Sequence, residues 1–123
     1  MLFAQQSPVK ALRVAQNNVT LVGANSDAPR ALVFTVPIAR KFTLFGVGTD
    51  QTSASIDLIA FHIIGTQSVQ LIDRQCNTLP SDEKTSPMYE VFNAGESFTL
   101  GIRNRTGAGV TPDLFFFYTD EPA

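Results

Sequence analysis

The sequence predicts an all-β fold, an antiparallel β-sandwich of about eight strands in one domain. Three observations predict it. Short runs rich in Val, Ile, Thr and Phe recur along the 123 residues, with Gly, Asn and Pro breaking them. No stretch of ten residues carries the 3.6-residue period of an amphipathic helix. The stretch from Glu96 to Glu121, ESFTLGIRNRTGAGVTPDLFFFYTDE, reads as two strands joined by a Gly/Thr-rich turn.

The expected strands follow in order. Val9–Ala15 and Val19–Val22 come first, each a short β-branched run. Arg30–Val36 follows a break at Gly23-Ala-Asn-Ser-Asp-Ala-Pro29, where Gly and Asn supply positive φ and Pro removes a ladder donor. Pro37 closes that run, and Lys41–Val47 ends in the turn Gly46-Val-Gly-Thr-Asp50. Ile56–Ile64 is the most apolar strand and stops at Gly65-Thr66, which passes the chain to Val69–Asp73. Met88–Phe92 and Ser97–Asn104 flank Asn93-Ala-Gly95. Thr106-Gly-Ala-Gly109 then leads to Leu114–Thr119.

In Ser97–Asn104, Phe98, Leu100 and Ile102 alternate with polar or small residues, the mark of one buried face. Two other strands do not alternate. Leu114, Phe116 and Tyr118 point one way while Phe115 and Phe117 point the other. In Ile56–Ile64 the residues Ile59, Phe61 and Ile63 oppose Leu58, Ala60 and His62. A sandwich buries only the inner face of each sheet, so the outward sets Phe115/Phe117 and Ile59/Phe61/Ile63 predict contact with another protein. Between strands, Asp73–Pro87 is expected as a long polar loop that reaches a partner, offering Arg74, Asp82 and Glu83. Arg103 and Arg105 at a strand end complete the expected interface.

Composition excludes several classes. Nine basic and eleven acidic residues give a net charge of −2 without a basic block, so no nucleic-acid footprint is present. The apolar runs are too short to span a bilayer as a helix. The start MLFAQQSPVK lacks a basic segment ahead of an apolar core, which predicts a chain used without export. One cysteine rules out an internal disulfide. One His and one Cys do not make a zinc set, and no spaced acidic pattern suits calcium, so neither metal nor cofactor is expected. His62 is expected to be a hydrogen-bonded structural histidine, and Cys76 an inert surface thiol beside Arg74. Asp57, an acid on an apolar strand face, needs a partner, with Arg40, Lys41 and Arg103 as candidates. Asn18-Val-Thr20 and Asn104-Arg-Thr106 match the glycosylation sequon, a pattern that arises easily by chance. Without a catalytic constellation, enzyme chemistry is not expected.

The ending FNAGESFTLGIRNRTGAGVTPDLFFFY resembles the last two strands of viral single jelly-roll proteins, among them the decoration or cement proteins of tailed bacteriophages. The matching residues are Ala94-Gly95-Glu96-Ser97-Phe98-Thr99-Leu100, Ile102, Asn104, Thr106-Gly107 and Val110 to Phe117. The resemblance implies a jelly roll and a structural virion role as a decoration or minor capsid protein, assembled in the host cytoplasm. It further implies binding to a major coat protein and to its own copies, with trimers favoured. The alternatives are a tail or spike component, and a carbohydrate- or receptor-binding module; the absence of Trp and the presence of only two Tyr disfavour a sugar platform.

Overall fold

The computed structural model describes residues 13–18, 21–79 and 85–123, the first of these spans by its backbone alone. Among them are eight strands: β1 (Arg13–Asn18), β2 (Ser26–Thr35), β3 (Arg40–Thr49), β4 (Ile56–Ile64), β5 (Gln67–Gln75), β6 (Thr85–Phe92), β7 (Ser97–Asn104) and β8 (Asp113–Pro122). A 3₁₀ turn, Cys76–Thr78, follows β5. No helix among the described residues is long and apolar enough to cross a membrane.

The strands pair as a nested ribbon. β4 and β5 form its closed end at Gly65-Thr66, where Gly65 takes φ +62°, a left-handed value that strains any residue with a Cβ. Outward from this hairpin β3 pairs with β6, β2 with β7 and β1 with β8, all antiparallel. Two further pairings, β4 with β7 and β3 with β8, fold the ribbon over itself. The result is two four-stranded sheets, β1-β8-β3-β6 and β2-β7-β4-β5. Eight strands wound in this order make a jelly roll, and the expected fold class is observed.

Alternation decides what lies between the sheets. Leu58 and Ala60 of β4, Phe98, Leu100 and Ile102 of β7, and Leu114 and Phe116 of β8 all point inward and are buried. The core has two halves. One is aromatic, with Phe34 meeting Phe42 edge-on at a centroid distance of 4.7 Å and Phe98 meeting Phe116 at 5.0 Å. The other is aliphatic, built on Val47, Ile56, Leu58 and Leu114 with Cys76 and Leu79 closing it. Each fully buried Leu, Ile or Phe contributes roughly 1.5–3 kcal/mol to this interior.

Several boundaries differ from expectation. β2 starts at Ser26, inside the stretch that reads as a turn. Pro29 is tolerated there because β2 is an edge strand whose register with β7 breaks between Ala28 and Leu32. Asp73–Pro87 is not one long loop. Asp73, Arg74 and Gln75 continue β5 in register with Ile59, Leu58 and Asp57, and β6 is under way from Thr85. β1 covers Arg13–Asn18 instead of Val9–Ala15, of which residues 9–12 lie outside the described residues. Val19 and Thr20 lie outside them too, while Val22 forms an isolated bridge with Val110.

Candidate interaction face

The outer side of the β1-β8-β3-β6 sheet carries the aromatic surplus of the sequence. Phe115 and Phe117 of β8 stand opposite Gly48 and Gly46 of β3. A Cβ on Gly46 would stand 3.1 Å from the Thr85 methyl group, 3.3 Å from the Ser86 carbonyl oxygen and 3.6 Å from the Phe117 ring, so that ring packs beside a position already closed in by β6. Phe115 and Phe117 contact each other edge-on at 6.0 Å. Next along β3, a register shift between Leu44 and Gly46 leaves Phe45 as a bulged residue, and its ring meets Tyr89 of β6 at 5.7 Å. Phe45, Phe115 and Phe117 are half-buried, and Tyr89 is 70% exposed. At one end of this sheet Arg40 pairs with Asp120 at 2.8 Å and Lys41 with Glu121 at 3.1 Å, so these two cations are matched within the chain.

The second outer face is different. Ile59 is 2% exposed and is not available to a partner, contrary to expectation. Its cross-strand neighbour on β7 is Gly101, and the β2 bulge folds over that position: a Cβ on Gly101 would stand 1.8 Å from the Ala28 carbonyl oxygen. The chain thus covers this part of the sheet with its own edge strand. Phe61 and Ile63 remain half-buried, beside Val33, which is 55% exposed.

Beyond Ile59 this face becomes charged. Arg105 binds Asp57 through two bonds, Nε to Oδ2 at 3.0 Å and Nη2 to Oδ1 at 2.8 Å. Arg103 donates from Nη1 to Asp57 at 3.0 Å and to Asp73 at 3.1 Å. Arg103 and Arg105 are therefore committed within the chain rather than held out for another subunit. Arg103 was among the expected partners of Asp57; Arg40 and Lys41 serve β8 instead. The Arg105 hydrogen bond, aided by Arg103, holds the Asp57 carboxyl below the usual carboxylate range against the opposing effect of burial.

The remaining expected residues are structural or lie outside the described chain. Arg74 donates to the Thr78 hydroxyl at 2.8 Å and to the Thr78 carbonyl, pinning the 3₁₀ turn. Asp82 and Glu83 fall outside the described residues. Cys76 is not a surface thiol: it is 2% exposed, and burial, with Asp57 and Asp50 nearby, pushes its thiol up to about 12. Asn104 is fully buried, its amide nitrogen donating to the carbonyls of Val22, Gly23 and Ala108, so its sequon is a turn-building device. His62 is buried as expected, bonded through Nδ1 to Glu90 at 2.7 Å and through Nε2 to Glu96 at 2.6 Å.

Sequence reasoning missed Phe45 and Tyr89. Alternation from the inward Phe42 and Leu44 puts Phe45 outward and alternation from the inward Val47 puts it inward; the register shift between Leu44 and Gly46 reconciles the two. No cluster of three or more His, Cys, Asp or Glu among the described residues is set to hold a metal ion. The void among Phe34, Phe42, Phe92 and Phe116 measures about 10 Å³, far below the several hundred that small-molecule sites occupy.

No protein-family model matches the sequence, and no curated protein matches it. Among solved structures the chain is similar to the nucleoplasmin-like N-terminal domain of Drosophila FKBP39. The match covers 97% of each chain with a TM-score of 0.52 and 9% sequence identity. At that identity the likeness concerns the β-sandwich fold alone.

Proposed function

We propose that the chain is a structural virion protein, a capsid decoration or minor capsid protein of a bacteriophage, that binds its own copies and a major coat protein. The observation that carries this reading is the aromatic outer face formed by Phe45, Tyr89, Phe115 and Phe117. An antiparallel sheet with one face on the core normally turns polar residues to water on the other. Here two ring pairs, Phe45 with Tyr89 and Phe115 with Phe117, lie on the outer side, and exposed apolar patches mark interaction sites. Tyr and Phe also suit the anchoring positions of protein interfaces. The jelly roll supports the virion assignment, since capsid domains are among its established uses. The resemblance of residues 94–117 to decoration proteins points the same way and favours three copies under cyclic symmetry.

The test is to locate the chain on the particle. Gold-labelled antibody against it should decorate the capsid shell of purified virions, and a low-resolution image should show density above the coat lattice. Label confined to the tail, or absent from particles made in cells that express the chain, overturns the capsid assignment.

A further inference from the structure

His62 is the only histidine of the chain, and both of its ring nitrogens face carboxylates. An ionised carboxylate only accepts hydrogen bonds, and a neutral imidazole has one N–H to give. Contacts of 2.7 Å at Nδ1 and 2.6 Å at Nε2 are both hydrogen bonds only if the ring carries two protons or one carboxyl carries one. The surroundings favour the ring. Glu96 also accepts the Asn93 backbone N–H at 3.0 Å on the same oxygen. Burial works against its charge, but the Asn93 and His62 donors outweigh that and hold its carboxyl below the usual range. The Glu90 side chain is 32% exposed, so water also reaches its carboxyl. The ring of Phe92 lies against the imidazole, centroids 3.9 Å apart, a placement that favours a cation.

The three groups come from different parts of the fold. His62 lies on β4 in one sheet, Glu90 on β6 in the other, and Glu96 in the turn between β6 and β7. We propose that His62 clasps the two sheets as a cation between two carboxylates, its ring held as an imidazolium that donates to Glu90 from one nitrogen and to Glu96 from the other. Loss of the proton from either nitrogen leaves a lone pair facing a carboxylate oxygen at under 3 Å, which is repulsive, and that contact opens. The groups that face the ring are Glu90 and Phe92 from β6, Glu96 from the turn, and Phe98 and Val69 from the neighbouring strands β7 and β5. Glu90 and Glu96 are the charged groups in contact with it among the described residues.

Nitrogen NMR of the full chain labelled with ¹⁵N-histidine tests the charge state on one ring, without a variant. At pH 7 both ring nitrogens should show the shifts of protonated nitrogens; one nitrogen with the shift of an unprotonated imidazole nitrogen overturns the proposal. Amide hydrogen exchange at pH 7 on the wild type and on His62→Gln tests the clasp. Protection of the Asn93–Ser97 amides should fall on the order of tenfold in the variant, which keeps one amide donor and carries no charge. Unchanged protection in a folded variant would contradict the clasp, and the nitrogen shifts of the wild type test the charge state even if the variant does not fold.

Discussion

At the scale of single residues, buried polar groups explain most of what the surface pattern leaves open. Asp57 is held on the outer sheet face by Arg103 and Arg105, whose side chains are 32% and 43% exposed. Removing a fully buried ion partner costs several kcal/mol, but water can take up these half-wet guanidinium groups. Asp57→Asn should therefore cost about 1–3 kcal/mol in a denaturant titration, the range of hydrogen bonds to charged groups. The pH dependence has a definite sign. The folded-state carboxyls of Asp57 and Glu96 titrate below their unfolded values, so the unfolded chain binds more protons in acid. Their contribution is present above about pH 4–5 and is lost as pH falls through the folded-state titrations. Melting temperature should drop over that acidic range, and Asp57→Asn should drop less steeply than the wild type. Cys76 offers a second check. With its thiol pushed up to about 12 and its surface closed, it should react with a thiol reagent at pH 8 only on unfolding. Rapid labelling of the native chain would mean that the β5–β6 connection opens readily.

Strands and turns show how far pattern reading reaches. β4, β7 and β8 were legible because their inward residues are large and apolar: Leu58, Leu100 and Phe116 each mark a face without ambiguity. The end of β5 was not, because Asp73, Arg74 and Gln75 lie at a sheet edge where polar side chains face water or each other, and they read as loop. The start of β2 was hidden by the turn at Asn25, φ 50°, just ahead of it and by Pro29, which an edge strand with a bulge accommodates. That bulge is also why Ile59 is buried. Gly101 is the residue it depends on, since a Cβ there would stand 1.8 Å from the Ala28 carbonyl oxygen. Gly101→Ala should force the β2 backbone away from β7 and cost about 1–3 kcal/mol, the usual penalty of overpacking. Gly107→Ala, with nothing within 4 Å of its would-be Cβ, should cost much less in the same titration. Equal losses for the two variants would show that the β2 bulge does not pack on β7 as described.

Across the whole molecule, the ribbon topology brings together what the sequence keeps apart. His62 meets Glu90 and Glu96 from 28 and 34 positions away, and Asp57 meets Arg105 from 48. Strand pattern alone assigns each of these residues to a face, but partners of this kind follow only once β4 is paired with β7 and faced by β6. The inward core and the outward position of Phe115 and Phe117 were readable from alternation; the meeting of Phe45 with Tyr89 at a register shift was not. The central claim is that this aromatic face is where the chain joins other protein. Sedimentation velocity over a range of concentrations, comparing the wild type with Phe117→Asp, tests it most directly. The wild type should form a closed oligomer, with three copies favoured, and Phe117→Asp should sediment as a monomer with an unchanged strand spectrum in circular dichroism. A wild type that remains monomeric at high concentration, and that binds no virion component, would contradict the account.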